Sequence, residues 1–393
     1  MKKLFVCLSL CVLFSSTALG EENPVANLMF DEPATSASPV KETGSSMDEE
    51  SQTQAKTDAL DEKKNSDDES FFSFFNFGKE KKQKEEPLEL TSAPTVKKET
   101  KLERLTREAN EGNLNSQMAL GYIYLYGEDP IKPDEKKAFQ YYQMAAQQND
   151  NIATNNLASL YYSGIGVEQS YATAAKLFQK AVDLGNSEAA VNLAFLYLAG
   201  SGVQKDSKAA INNFVIAAKA GNPTAQFMLG YAYYKGFVVP QDFGRAFELL
   251  KASADSGYDD AQVLVATLYR EGLGIPQNYR KSIAYLQKAV RQGNLDAMMI
   301  LAEIFTGGIK VSPNYYTAHV LYNLAAVRGA KGAAESRDEL ERKLKIEQLL
   351  QAQNQADQYK PKQSEITQYI HQTFGNNIKA YIDNMINKST IEK

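Results

Sequence analysis

Residues 220–254, AGNPTAQFMLGYAYYKGFVVPQDFGRAFELLKASA, hold one full unit of a pattern that returns along the chain. Gly221 heads the unit, and Gly185, Gly221, Gly257, Gly293 and Gly329 stand 36 residues apart. Asn149 lies 36 residues before Gly185, and Gly112 lies 37 before Asn149, the extra residue falling in the Pro-rich loop 128–135. Asn is the other residue that tolerates a left-handed backbone, so it can stand in for glycine. A fixed period of this size signals stacked supersecondary units.

Each heading residue sets a phase. Four residues on comes a small side chain: Ser116, Ala153, Ala189, Ala225, Ala261, Ala297. Eight on is apolar: Leu120, Leu157, Leu193, Leu229, Val265, Leu301. Twelve on is aromatic: Tyr124, Tyr161, Tyr197, Tyr233, Tyr269, Phe305. Steps of four put all three on one helical face. Fifteen on is always glycine, from Gly127 to Gly308, which predicts the helix end because a positive-φ residue there caps the last carbonyls. A second helix follows, opening on capping types at Asp206, Asp242, Asn278 and Asn314. Its inward face runs small, bulky, small, as in Ala174, Phe178, Ala181 and Ala246, Leu250, Ser253, which lets paired helices approach closely. The expected fold is all-α: a right-handed α-solenoid of about six helical hairpins over 109–328. A capping helix is expected at 97–108, further caps at 329–359 and a helical tail at 360–393.

The unit above and LGNSEAAVNLAFLYLAGSGVQKDSKAA (184–210) resemble Sel1-like repeats, relatives of the tetratricopeptide repeats. The shared marks are the period, a front pattern A-x-x-G-x-x-x-A and G-x-G-V in the loop. Gly164-Ile165-Gly166-Val167 and Gly200-Ser201-Gly202-Val203 match that loop, and Gly272-Leu273-Gly274-Ile275 nearly does. The loops at Gly127, Gly236 and Gly308 lack the second glycine. The resemblance covers roughly residues 100–358. It implies a non-catalytic scaffold, since relatives act as envelope scaffolds, as regulators of peptidoglycan enzymes or sensor kinases, or in host-cell entry and vacuole trafficking. Some cysteine-rich relatives are linked to β-lactam binding, a role that does not carry over to a chain without their cysteines.

The ends read differently. Met1-Lys2-Lys3, an apolar run from Leu4 to Phe14 and small residues up to Gly20 have the layout of a secretory leader over 1–20, too short to span a bilayer. The expected product is periplasmic or secreted, and Cys7 and Cys11 would leave with the leader. The alternatives are an uncleaved anchor and a lipid attached at Cys11, the latter disfavoured because Leu10 is not small. Residues 21–96 carry 18 acidic against 8 basic residues and no apolar periodicity, the composition of a disordered arm. Within it Phe71, Phe72, Phe74, Phe75 and Phe77 precede four lysines. Three partners suit this island: the protein's own first helices, a protein groove, or an anionic membrane. In the tail, Ile366, Ile370 and Phe374, then Ile378, Ile382 and Ile386, have helical spacing; this segment either folds back on the solenoid or engages a partner.

Signals for chemistry are nearly absent. The two histidines, His319 and His371, lie far apart, with no zinc spacing and no phosphate loop, so no cofactor is expected. Asp259-Asp260 reads as an acidic pair complementing a helix N-terminus. A balanced repeat region without a basic stripe argues against nucleic acid. The informative positions are those six, ten and thirteen residues after each heading glycine, turned away from the helical core face. Offset six is expected to pack against neighbouring first helices. Offsets ten and thirteen are expected to be exposed on the concave side. Tyr122, Tyr162, Phe195, Tyr231, Tyr234 and Arg270 therefore form the expected protein-binding strip. The reading is an adaptor with a protein partner in the bacterial envelope or host. The alternatives are a membrane-associated assembly protein and, last, a cell-wall or β-lactam hydrolase.

Overall fold

A computed structural model describes residues 99–308, 310–375 and Lys379. The leader at 1–20, the arm at 21–96 with its phenylalanine island, and Ile378, Ile382 and Ile386 lie outside the described residues. Among those described, every regular element is helical, apart from an isolated bridge between Glu128 and Ile131. None of the helices is long and apolar enough to cross a membrane.

Helix α1 (Lys101–Asn110) precedes six hairpins. These are α2 (Leu114–Tyr126) with α3 (Glu135–Gln147), α4 (Asn151–Ser163) with α5 (Tyr171–Asp183), and α6 (Ser187–Ala199) with α7 (Ser207–Lys219). They continue with α8 (Pro223–Lys235) and α9 (Phe243–Asp255), α10 (Asp259–Glu271) and α11 (Tyr279–Gln292), and α12 (Leu295–Gly307) and α13 (Tyr315–Val327). Three helices follow: α14 (Ala333–Glu341), α15 (Ile346–Gln358) and α16 (Glu365–Phe374). From α1 to α14 each helix packs on the next, and α13 also meets α15, so the stack is built from sequence neighbours.

The periodic residues do what their spacing requires. Leu120, Leu157, Leu193, Leu229, Val265 and Leu301 are all buried, and so are the small residues four positions before them. Full burial of such a side chain is worth roughly 1.5–3 kcal/mol. Opposite them, Tyr142, Phe178, Phe214, Leu250 and Leu286 are fully or almost fully buried between small neighbours on the second helices. Helix α1 supplies Leu105 and Ala109 to the first hairpin, closing that end, and Thr100 caps it with a reciprocal bond to Glu103. All six second helices open on a side-chain cap, including the four expected from sequence.

The loops explain the paired glycines. Gly164, Gly200, Gly236, Gly272 and Gly308 end the first helices in the left-handed region. Two residues later the chain is left-handed again, and there it presses on the previous hairpin. A Cβ on Gly166 would lie 2.0 Å from the Glu135 carbonyl oxygen, on Gly202 2.2 Å from the Tyr171 carbonyl carbon, and on Gly274 2.4 Å from that of Phe243. The second glycine is therefore a seam between repeats as well as a turn.

In two of the three loops that lack that glycine the same backbone persists, with φ 61° at Val238 and 61° at Lys310, whereas the loop after Gly127 takes another path through a cis Asp129–Pro130 bond. A β-branched residue pays for this conformation, with left-handed geometry costing roughly 1–2 kcal/mol per L-residue. Val238 is 38% exposed, so it loses little packing on truncation. Val238→Gly is expected to raise the urea midpoint, corresponding to about 1 kcal/mol after the entropy of the added glycine is counted. An unchanged or lowered midpoint would show that its side chain contributes more than its backbone costs.

Candidate functional site

The inner positions of the first helices divide by place in the stack. At offset six, Asn155, Val191, Phe227 and Val263 are buried, as neighbouring first helices require. Asn192 Nδ2 donates to Asn155 Oδ1 at 3.1 Å, tying α6 directly to α4 inside this layer. At offset ten the expected exposure fails in the middle of the stack. Phe195 is 5% exposed and meets Phe214 edge-on at 5.6 Å. Tyr231 is 3% exposed and lies between Phe227 and Tyr234, at 6.0 and 6.4 Å. Both belong to the core, because interior repeats are covered from two sides. At the first repeat, with only one hairpin beside it, Tyr122 stays open at 38% and packs on Tyr126 at 4.8 Å.

Offset thirteen divides as well: Leu125 and Leu198 are buried, against expectation, and the others remain accessible. Tyr162, Tyr234 and Arg270 are half-buried. Tyr162 meets Tyr171 edge-on at 5.2 Å and 63°. Two repeats later Tyr234 meets Phe243 in the same way, at 5.9 Å and 66°. Each of these positions is fixed from behind by one repeated bond: Gln169, Gln241 and Gln277 donate their side-chain amides to the carbonyls of Tyr162, Tyr234 and Arg270 at 2.7–2.9 Å. Burial, and then the nearby Glu271 carboxylate, raise the Tyr234 phenol above its ordinary pKa, so it stays a neutral donor. Arg270 pairs with Glu271 at 3.0 Å. The surface that survives is thus aromatic at repeats one, two and four and charged at repeat five, an arrangement suited to gripping a peptide by its side chains.

A second cluster was not legible as such in the sequence. Asp259 and Asp260 stand in the first turn of α10, as expected, but are only 1% and 4% exposed. Asn294 Nδ2 donates to Asp259 Oδ2 at 3.0 Å and to Asp260 Oδ1 at 3.1 Å, and the Tyr258 hydroxyl donates to Asp260 Oδ2 at 3.2 Å. Lys379 from the tail bridges Asp260 and Asp296 at 3.1 and 2.9 Å, and His371 Nε2 lies 3.5 Å from Asp259 Oδ1. Burial and the neighbouring Asp260 charge raise the Asp259 pKa, whereas for Lys379 the two carboxylates outweigh burial and hold its pKa above the ordinary value. The tail helix α16 folds back here, with Ile370 fully buried in the same cluster as Phe227, Tyr231 and Tyr258. The other histidine, His319, is buried in α13, 3.7 Å from Glu341, and is no part of either cluster. No group of His, Cys, Asp and Glu among the described residues has the arrangement of a metal site.

Stacked helical hairpins with an accessible aromatic inner edge define an α-solenoid scaffold, a class that works by holding other proteins. The match to the Sel1 repeat model is sixfold, at residues 114–150, 151–186, 187–222, 223–258, 259–294 and 295–329, more than half of the chain. The chain belongs to the Sel1 repeat family, whose repeats in general mediate protein–protein interaction and are non-catalytic. Among solved structures it is similar to a Sel1 repeat protein from Oxalobacter formigenes, with 29% identity, TM-score 0.50, and coverage of 58% of this chain and 99% of that one. It is also similar to c5321, a protective antigen present in uropathogenic Escherichia coli strains, with 25% identity, TM-score 0.46, and coverage of 71% of this chain and 66% of that one. Cysteine-rich protein B of Helicobacter pylori shows 23% identity and TM-score 0.26 over 32% of this chain and 95% of its own. No curated protein matches the chain closely enough to count as a relative.

Proposed function

We propose that this protein is an exported, non-enzymatic adaptor that holds a protein partner of the envelope or host against the accessible inner edge of its solenoid. The contact residues are Tyr122, Tyr162, Tyr234 and Arg270, with Tyr171 and Phe243 as supports. The observation that carries the reading is the repeated edge-on aromatic pair, Tyr162–Tyr171 and Tyr234–Phe243, in two repeats of the stack. A half-exposed aromatic held rigid by a neighbour loses little entropy on binding, which is why such residues dominate interfaces. Export rests on the leader-like segment 1–20, and N-terminal sequencing of envelope or medium protein tests it.

The interface is tested by pull-down with the full chain as bait and with Tyr122→Ala/Tyr162→Ala. The double variant is expected to keep its helical circular dichroism and to bind the captured partner more weakly by about 1 kcal/mol or more per residue. A well-folded variant that captures the partner as strongly as the parent would remove this edge from consideration.

A further inference from the structure

Repeat five departs from the others in how its first helix begins. In the other five repeats the residue before that helix, Asn113, Asp150, Asn186, Asn222 or Asn294, accepts a bond from the helix with its own side chain. In repeat five that residue is Tyr258, which makes no such bond. The start of this helix is satisfied differently: the Asp260 N–H donates to Asp259 Oδ1 at 2.8 Å, and the Asp259 N–H donates to Thr367 Oγ1 on the tail helix at 3.1 Å. The Gly257 carbonyl just before it accepts from Ser364 Oγ at 2.8 Å and from Thr367 Oγ1 at 3.2 Å. A start of helix met by side chains more than a hundred residues away is built as a receptor.

The rest of the receptor matches. Gln292 accepts the Ser364 N–H at 2.9 Å, so it reads the backbone of the incoming helix at its start. One turn further on, Ile370 is fully buried, and Tyr258 faces His371 at 6.2 Å between ring centres. Asp260 and Asp296 then hold the Lys379 ammonium. The ligand is thus read at three points: a Ser-x-x-Thr helix start, an aliphatic side chain six residues after the serine, and a cation beyond. Tyr234 and Phe243 of the proposed contact edge pack on the same cluster that encloses Ile370, as do Ile366 and Tyr369 of the tail.

We propose that repeat five is a docking site for a Ser/Thr-capped amphipathic helix bearing a lysine, that the chain's own α16 with Lys379 fills it in this structure, and that a partner helix of the same pattern takes its place. This rests on the scaffold reading above and names the kind of segment the scaffold holds. Two carboxylates buried at one helix start are costly without a cation, so the site selects a basic ligand and rejects an acidic one.

The test uses a fluorescent synthetic peptide of residues 361–380 and the full chain, read by anisotropy. In the parent chain the tethered tail competes at high effective concentration. Full chain carrying Ile370→Asp/Lys379→Glu, its own tail disengaged, is therefore expected to bind the peptide about ten-fold more tightly than the parent. If that chain does not keep its helical signal, Lys379→Glu alone, which leaves Ile370 in place, gives the same comparison. A Lys379→Glu peptide, which sets a carboxylate against Asp260 and Asp296, is expected to bind the disengaged chain severalfold more weakly than the unsubstituted peptide. Equal affinity for parent and disengaged chains, no binding to either while both are folded, or equal binding of the two peptides would each overturn the proposal. None of these readouts involves the pulled-down partner. Loss of peptide docking with partner capture intact therefore sinks this inference alone, and the converse result sinks only the edge.

Discussion

Gly202→Ala is expected to destabilise the solenoid by about 2–5 kcal/mol, the sum of left-handed backbone cost and forced overlap in a packed interface. Gly202 has φ 72°, and its Cβ would lie 2.2 Å from the carbonyl carbon of Tyr171, 2.4 Å from its oxygen and 2.5 Å from the Ala172 nitrogen. These are backbone atoms in the first turn of α5, so no side chain can rotate away. Relief requires the loop after α6 to lift off the preceding repeat. Gly221→Ala is the control, with φ 83° and nothing within 4 Å of the added carbon. It should show the backbone cost alone, roughly 1 kcal/mol. Chemical unfolding of both variants measures the difference. Equal losses would mean that the seam between repeats gives way freely and that the second glycine is only a turn residue.

Leu229→Ala is expected to cost about 2–5 kcal/mol, the range for emptying a buried leucine site. Leu229 is 5% exposed within a cluster that runs through repeats three to five and includes Phe214, Leu250 and Val265. Because stability in a stack is shared between neighbours, the loss should fall on these repeats first. Hydrogen exchange should then accelerate in α8–α10 before it does in α2–α3. A uniform acceleration throughout would show a single cooperative unit. Unfolding midpoints within error of the parent would show that the spacing of four does not place this side chain inside.

The repeat was legible because every unit obeys the same steps. A residue such as Gly236 or Leu193 could be placed by counting from the heading glycine, and both stand where the count puts them. The inner edge was legible only in part. A helical wheel describes one helix, and it turns Phe195 and Tyr231 away from the core face, yet Phe195 meets Phe214 on the second helix of its own hairpin. The wheel carries no information on what the flanking repeats cover. Both are therefore buried, while Tyr122 at the end of the stack is open. The acidic pair was read only as far as its place at a helix start, which the structure bears out. Asp259 and Asp260 look like ordinary first-turn acids until the tail is laid beside them, and no local pattern links position 259 to position 367. The one local sign was a departure from the repeat itself: Tyr258 stands where the other units have Asn or Asp.

That borrowed bond also fixes the order in which the molecule can be completed. Nearly everything else in the stack joins residues within about one repeat of each other, so helices can zip up as the chain emerges, with little loop entropy to overcome. The bond from Asp259 to Thr367 spans 108 residues, and that from Thr367 to Gly257 spans 110. A ribosome or an export channel delivers position 259 long before position 367. In that interval repeat five waits with the Asp259 N–H not yet met by Thr367 and two carboxylates lacking the tail's cation. The last step of maturation is then a ring closure, and it takes place at the docking site.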